Sequence, residues 1–210
     1  MNKLKLLLVE DEALVREGMR ALLEKEPFVS EIHEAASGED AIQELLNNKI
    51  DLVLIDIRMP GINGTEVIKH IRLEYSHIKI IAVTGLEGVE LVINLLRLGV
   101  NGIVYKLSGF QEILKAIVSV LEKGSYFPDQ ILELIKHNAD RWENVPPVNL
   151  SDKDKLLLQA IVDGFTTKQL ADRLNMSERT AETYRQRLIR KVGMSNTAGL
   201  IAYAFRNGII

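Results

Sequence analysis

Short apolar runs alternate with stretches of helical period through the first part of the chain. Strands are predicted at 4–9, 29–35, 51–55, 78–83 and 102–105, and helices near 13–25, 38–48, 65–74, 88–98 and 109–122. Runs such as Leu52-Val53-Leu54-Ile55 lack the alternation of a half-exposed strand, which suits a parallel sheet covered on both faces. Ser37 and Ser108 stand where helices should begin, and Gln111 follows Ser108 at the spacing of a reciprocal cap. Five βα units joined by right-handed crossovers leave few topologies. The doubly wound order 2-1-3-4-5 puts its switch point between strands 1 and 3.

The pattern changes after Lys123-Gly124. Gln130 to Lys136 reads as one more helical segment, and Asn144-Val145-Pro146-Pro147 as linker. Trp142 in this stretch fits either a hydrophobic dock between domains or an incidental linker aromatic. The last sixty or so residues read as all helix: Ser151 caps 152–163, Gly164 stops it, and Thr166 or Thr167 starts a helix to Leu174. Asn175-Met176-Ser177 turns, and Glu178 opens a helix to about Val192, dense in Arg185, Arg187, Arg190 and Lys191. A short helix, a tight turn and a basic second helix form a helix-turn-helix pattern. A final helix near Thr197 to Asn207 carries Leu200, Ile201, Tyr203 and Ala204, which suit a dimer face or core packing equally. The expected domains are therefore 1–123 (α/β), 124–149 (helix and linker) and 150–210 (small, all-α).

Composition agrees with two modest globular domains: 210 residues, 47% apolar and 26% charged, are enough for two cores. The absence of cysteine excludes disulfides, thiolate metal sites and cysteine nucleophiles. No run is long enough to span a bilayer, and the N-terminus reaches a charge too soon for a signal peptide, so a cytoplasmic location is expected. The net charge of −3 hides an asymmetry: residues 1–125 carry 14 Lys/Arg against 19 Asp/Glu (net −5), and residues 165–210 carry 8 against 3 (net +5). An acidic body and a basic tail domain suit different partners.

Chemistry gathers where strands should end. Glu10 and Asp11 follow the first strand, Asp56 the third, Thr84 the fourth and Lys106 the fifth, and Asp56 opens the Pro/Gly-rich loop Met59-Pro60-Gly61-Ile62-Asn63-Gly64. The ligand crevice of an open α/β sheet lies beyond the carboxyl ends of its strands, so all five converge. Crowded carboxylates repel, and a hard divalent cation relieves that repulsion, which makes Mg²⁺ the natural occupant. Asp11 and Asp56 are expected to ligate it directly, Glu10 through water, and the main-chain carbonyl of Arg58 to add a further ligand. The Asp56 carboxylate would attack an incoming phosphoryl group, with the metal, Lys106 and Thr84 neutralising its charge. The histidines at 33, 70, 77 and 137 lack metal-ligand spacing.

With these residues in place, 3–123 resembles the receiver domain of two-component response regulators. The resemblance implies that Asp56 is the phospho-acceptor, Glu10 and Asp11 the acidic pair, Thr84 the switch hydroxyl and Lys106 the conserved-type lysine. It also implies a phosphohistidine on a sensor histidine kinase as donor, with self-phosphorylation and hydrolysis as the only catalysis. Two positions depart from the family pattern. Ile103 stands where Tyr or Phe is usual, with Tyr105 instead beside the lysine, and Leu107 stands where Pro is common.

Leu150 to Ile210 resembles the LuxR-type DNA-binding domain of NarL/FixJ response regulators through Leu150-Ser151, Gly164, Lys168, Ala171, Leu174, Met176-Ser177, Thr180, Leu188, Lys191-Val192 and Gly208-Ile209-Ile210. Ala171 needs its smallness where helices cross, and Leu174, Met176, Ala181, Leu188 and Val192 are expected in the core. The family's base-reading positions correspond to Glu182, Thr183 and Gln186, with Glu182 in place of the usual lysine. Arg179, Arg185, Arg187 and Lys191 are phosphate-contact candidates. Lys168 and Thr180 join them on the DNA-binding side, and Tyr184 suits a phosphate contact or packing. The chain is thus expected to form a homodimer on double-stranded promoter DNA when phosphorylated. The competing reading is a phosphate-independent dimeric regulator, supported by Ile103 and Leu107. An aspartyl-phosphate phosphatase would want an acid two residues after its nucleophile, where Arg58 stands.

Overall fold

In the computed structural model, residues 3–85, 88–142 and 146–210 are described; residues 143–145 of the expected linker lie outside them. The chain divides into two compact units, Met1–Glu87 with Gly102–Ala116, and Gly88–Asn101 with Ile117–Ile210.

The first unit holds a five-stranded sheet of β1 (Leu4–Val9), β2 (Val29–Ala35), β3 (Leu52–Asp56), β4 (Lys79–Thr84) and β5 (Gly102–Tyr105). All pairs are parallel and the order is β2-β1-β3-β4-β5, as the sequence predicts. Every residue of β3 is buried, including Leu52, Val53, Leu54 and Ile55, so its apolar run faces no water on either side. The strand runs one residue further than the sequence predicts and includes Asp56, which pairs in register with Val83. β4 likewise reaches Thr84, in register with Tyr105.

The helices of this unit are α1 (Ala13–Leu23), α2 (Gly38–Asn47) and α3 (Gly64–Glu74). Ser37 caps α2 by accepting from the Asp40 amide. Asn63 caps α3 through a full capping box, accepting from Thr65 and Glu66 while Glu66 accepts from the Asn63 amide. The expected Ser108 cap is displaced: Lys106–Ser108 form a 3-10 turn, Gly109 takes a φ of +79°, and the next helix starts at Phe110. No cis peptide occurs among the described residues, so Lys106–Leu107 is trans.

The second unit contains α4 (Val89–Leu98), the later part of α5 (Phe110–Lys123), α6 (Asp129–His137), α7 (Asp152–Val162), α8 (Thr167–Arg173), α9 (Glu178–Lys191) and α10 (Thr197–Arg206). Four caps fix the last four helices: Ser151, Thr166, Ser177 and Asn196 each accept an amide of the first turn that follows. Asn175, φ 51°, makes the tight turn between α8 and α9, a left-handed conformation that asparagine tolerates better than most residues. Leu200, Ile201, Tyr203 and Ala204 are all buried, so this face of α10 is core here and not an exposed dimer surface. Trp142 is also buried within the unit.

Candidate phospho-acceptor site and DNA-binding helix

Three carboxylates meet at the carboxyl ends of β1 and β3. Oxygens of Glu10, Asp11 and Asp56 lie within 4.8 Å of one another, an arrangement that can hold a metal ion. Glu10 and Asp56 are buried and Asp11 is more open. The β1 end is held by Arg16, whose Nη1 donates to the main-chain carbonyl of Glu10 at 2.6 Å. On the β3 side, Asp56 Oδ1 accepts from the Arg58 amide at 3.0 Å, which turns the chain into the loop.

That loop is fastened by close backbone approaches. The Gly64 amide returns to the Ile57 carbonyl at 3.1 Å, Gly61 takes a φ of +71°, and a side chain at Gly38 would overlap the carbonyl of Ile62. The loop therefore has little freedom to move the carboxylate.

Lys106 closes the site from the end of β5. Its Nζ donates to Asp56 Oδ2 at 2.7 Å and to Glu10 Oε1 at 2.9 Å, so one ammonium bridges two buried acids. Burial works against the charge on Lys106, but its bonds to Asp56 and Glu10 outweigh it and raise the lysine above its ordinary value. Burial also pushes Glu10 up, against the pull of Lys106. Thr84 is 1% exposed at the end of β4. Ile103 is buried in β5 in register with Ala82, Tyr105 is half-buried, and Leu107 is exposed.

The helix-turn-helix pattern is realised as α8 and α9. Arg179, Thr183, Gln186 and Arg190 recur every three to four residues and form one exposed stripe along α9. Thr180 and Arg187 are exposed on its flank, Lys168 is exposed on α8, and Glu182 is half-buried and accepts from Gln186 at 3.1 Å. Ala171, Ala181, Leu188 and Val192 are buried as expected, and Leu174 and Met176 are half-buried.

Arg185 departs from expectation. It is 1% exposed and its Nη1 donates to the carbonyl of Lys123, so in this structure it offers no phosphate contact. Helical period places it on the packed side of α9, which a count of basic residues does not reveal.

Comparison with known proteins bears on both sites. Residues 6–118 match the response regulator receiver domain, and residues 148–204 match the luxR family of bacterial regulatory proteins. The chain belongs to the response-regulator family. Response regulator UvrY of Escherichia coli K12 is 31% identical over 206 residues, covering 97% of this chain and 94% of the relative. Response regulator GacA of Pseudomonas syringae is 31% identical over 209 residues, covering 99% of this chain and 98% of the relative. A solved structure of RcsB from Salmonella typhimurium has a TM-score of 0.59 and 26% identity, covering 97% of this chain and 98% of that one. A structure of an RcsB–DNA complex has a TM-score of 0.60 and 25% identity over 96% of this chain and 98% of that one.

This response regulator therefore combines a receiver domain with a LuxR-type DNA-binding domain. Two of its structural residues escape a reading by motif. Arg16 supports the acidic turn through main-chain carbonyls, and Asp154 sits in the first turn of α7 with bonds reaching α9. The pattern Ser151-x-x-Asp154 is the one signal that could have found the latter. Among the described residues, no helix is long and apolar enough to cross a membrane.

Proposed function

We propose that this response regulator is phosphorylated on Asp56 by a phosphohistidine of a sensor histidine kinase, and that the phosphoryl group controls dimerisation and sequence-specific DNA binding. The observation that carries this reading is the bridge from Lys106 to both Asp56 and Glu10 at the switch point of the sheet.

The donor set suits Mg²⁺: three carboxylates clustered within reach of one ion, all oxygen, at a site where their repulsion is only partly offset by one ammonium. Asp11, Asp56 and the Arg58 carbonyl would hold the ion, with Glu10 acting through water. When bound, it supplies charge neutralisation for the phosphoryl oxygens. The Asp56 carboxylate attacks phosphorus, the phosphorus–nitrogen bond of the donor breaks, and the imidazole leaves. Lys106 and Thr84 then hold the phosphoryl group, and hydrolysis of the acyl phosphate resets the switch.

Residues 1–123 act as the receiver, 124–149 as helix and linker, and 150–210 as the DNA-binding domain. Glu182, Thr183 and Gln186 read bases, while Lys168, Arg179, Thr180 and Arg187 contact phosphates and set the salt dependence. Tyr184 and Lys191 stand at the edge of this surface. The protein works in the cytoplasm on promoter DNA.

Restraint before phosphorylation is supported within the second unit. Arg185 of α9 donates to the Lys123 carbonyl, Asn196 donates to the Leu96 carbonyl at 3.1 Å, and Arg141 forms a bidentate pair with Glu90 at 2.8 and 2.6 Å. These contacts engage α4 and the end of α5, elements that follow the Thr84 and Lys106 strands in the chain. A phosphoryl group that shifts those elements would free α9.

The test is DNA affinity of the full chain with and without Mg²⁺ and acetyl phosphate, on a duplex selected from random sequence by the treated protein. Treatment is expected to tighten wild-type binding and to leave Asp56→Asn unchanged. Equal affinity in all samples would reject phosphate control.

A further inference from the structure

Asp154 lies in the first turn of α7 and is not among the residues expected to touch DNA, yet it is 4% exposed and takes four hydrogen bonds. Ser151 donates twice to Oδ2, from its amide at 3.0 Å and its hydroxyl at 2.9 Å. Lys191 Nζ donates to the same oxygen at 2.6 Å, and the Tyr184 hydroxyl donates to Oδ1 at 2.9 Å. Three of these bonds reach Oδ2 and one reaches Oδ1, so both oxygens of the carboxylate are engaged. A capping residue needs only the two bonds from Ser151; the other two come from α9.

Tyr184 and Lys191 are seven residues apart, two helical turns or about 10.5 Å along the axis. One carboxylate therefore grips α9 at two heights, which fixes both its rotation and its tilt against α7. Lys153 adds to this hold, with its Nζ 5.6 Å from the centre of the Tyr184 ring. The charge is favoured where it sits, near the N-terminus of α7 and facing a lysine at the C-terminus of α9.

We infer that Asp154 is a positioning residue for DNA recognition, holding the base-reading face of α9 in register through Tyr184 and Lys191 and keeping both side chains off the DNA. The inference rests on the DNA-binding reading above. Base edges are read by short directional bonds that tolerate only small displacements, whereas phosphates attract a cation over longer distances. Loosening α9 should therefore cost specific binding and spare non-specific binding.

The experiment uses the full chain with Mg²⁺ and acetyl phosphate, at a temperature where circular dichroism shows each variant folded. Two duplexes are compared: one selected from random sequence by the wild type, and one unselected. Asp154→Asn is expected to lower the ratio of specific to non-specific affinity roughly tenfold, the scale of one lost base contact. Asp154→Glu, which keeps the charge and the capping register, should hold the ratio near wild type. A purely structural cap would lower the melting temperature and leave the ratio of the folded protein unchanged; that result would overturn the inference.

Salt dependence gives a second reading that survives even if Asp154→Asn does not fold. Lys191→Gln should leave the slope of log affinity against log salt unchanged, whereas Lys168→Gln, a proposed phosphate contact, should reduce it by about 0.9. A loss of that size for Lys191→Gln would place Lys191 on a phosphate and overturn the inference. A wild-type chain that enriches no sequence would reject the DNA-binding reading itself, and this one with it.

Discussion

Gly64 lies so close to Asp56 that a side chain at position 64 would overlap the Asp56 carbonyl oxygen and come within 2.8 Å of Ile57 Cα. The first residue of α3 and the proposed phospho-acceptor thus share a contact that glycine alone permits. Gly64→Ala is expected to push the loop outward, costing about 1–3 kcal/mol as an overpacked site. Thermal unfolding should show the loss, and acetyl phosphate should label the variant more slowly than wild type.

Lys106 offsets two buried carboxylates, so its removal leaves them facing each other. Breaking a buried pair costs about 3–5 kcal/mol, but the Lys106 side chain is 27% exposed and water screens part of the effect; about 1–3 kcal/mol is expected for Lys106→Ala. Millimolar Mg²⁺ should raise the melting temperature of this variant more than that of wild type, because a ligand that binds the folded state stabilises it in proportion to its occupancy. A variant indifferent to Mg²⁺ would argue against a metal among Glu10, Asp11 and Asp56.

Much of the receiver was legible because its signals are local. Apolar runs of strand length, with acids, a hydroxyl and a lysine at their ends, point to Glu10, Asp11, Asp56, Thr84 and Lys106 as one group, and the structure brings Glu10, Asp11, Asp56 and Lys106 together. The strand ends were less so: Asp56 and Thr84 extend β3 and β4 because Val83 and Tyr105 pair with them across the sheet, a non-local fact. Ser108 looked like a cap, yet the positive φ of Gly109 moves the helix start to Phe110. In the C-terminal domain, the basic residues of α9 were visible but their faces were not separated. Period alone could have set Arg185 with Ala181, Leu188 and Val192; what it could not supply is the Lys123 carbonyl that accepts its hydrogen bond. Asp154 was hidden because its two distant donors lie 30 and 37 residues away.

Asp154 also gives a pH dependence. Burial raises its pKa, but the hydrogen bonds from Lys191, Ser151 and Tyr184 prevail and hold it well below its ordinary value of 3.8. A depressed carboxylate contributes stability that is complete above its unfolded value and is lost as pH falls toward the folded one. The stability difference between wild type and Asp154→Asn, from urea unfolding of the full chain, should be constant near neutral pH and shrink below about pH 4. A difference that persists unchanged in acid would show that the charge is not what matters.

The most direct test of the whole account is the mass of the intact chain after Mg²⁺ and acetyl phosphate, for wild type and Asp56→Asn together. A single added mass of about 80 Da, one phosphoryl group, is expected on the wild type and none on the variant. An adduct of equal yield on both proteins would contradict Asp56 as the acceptor, and no adduct with acetyl phosphate or with a phosphohistidine donor would contradict phosphate control altogether.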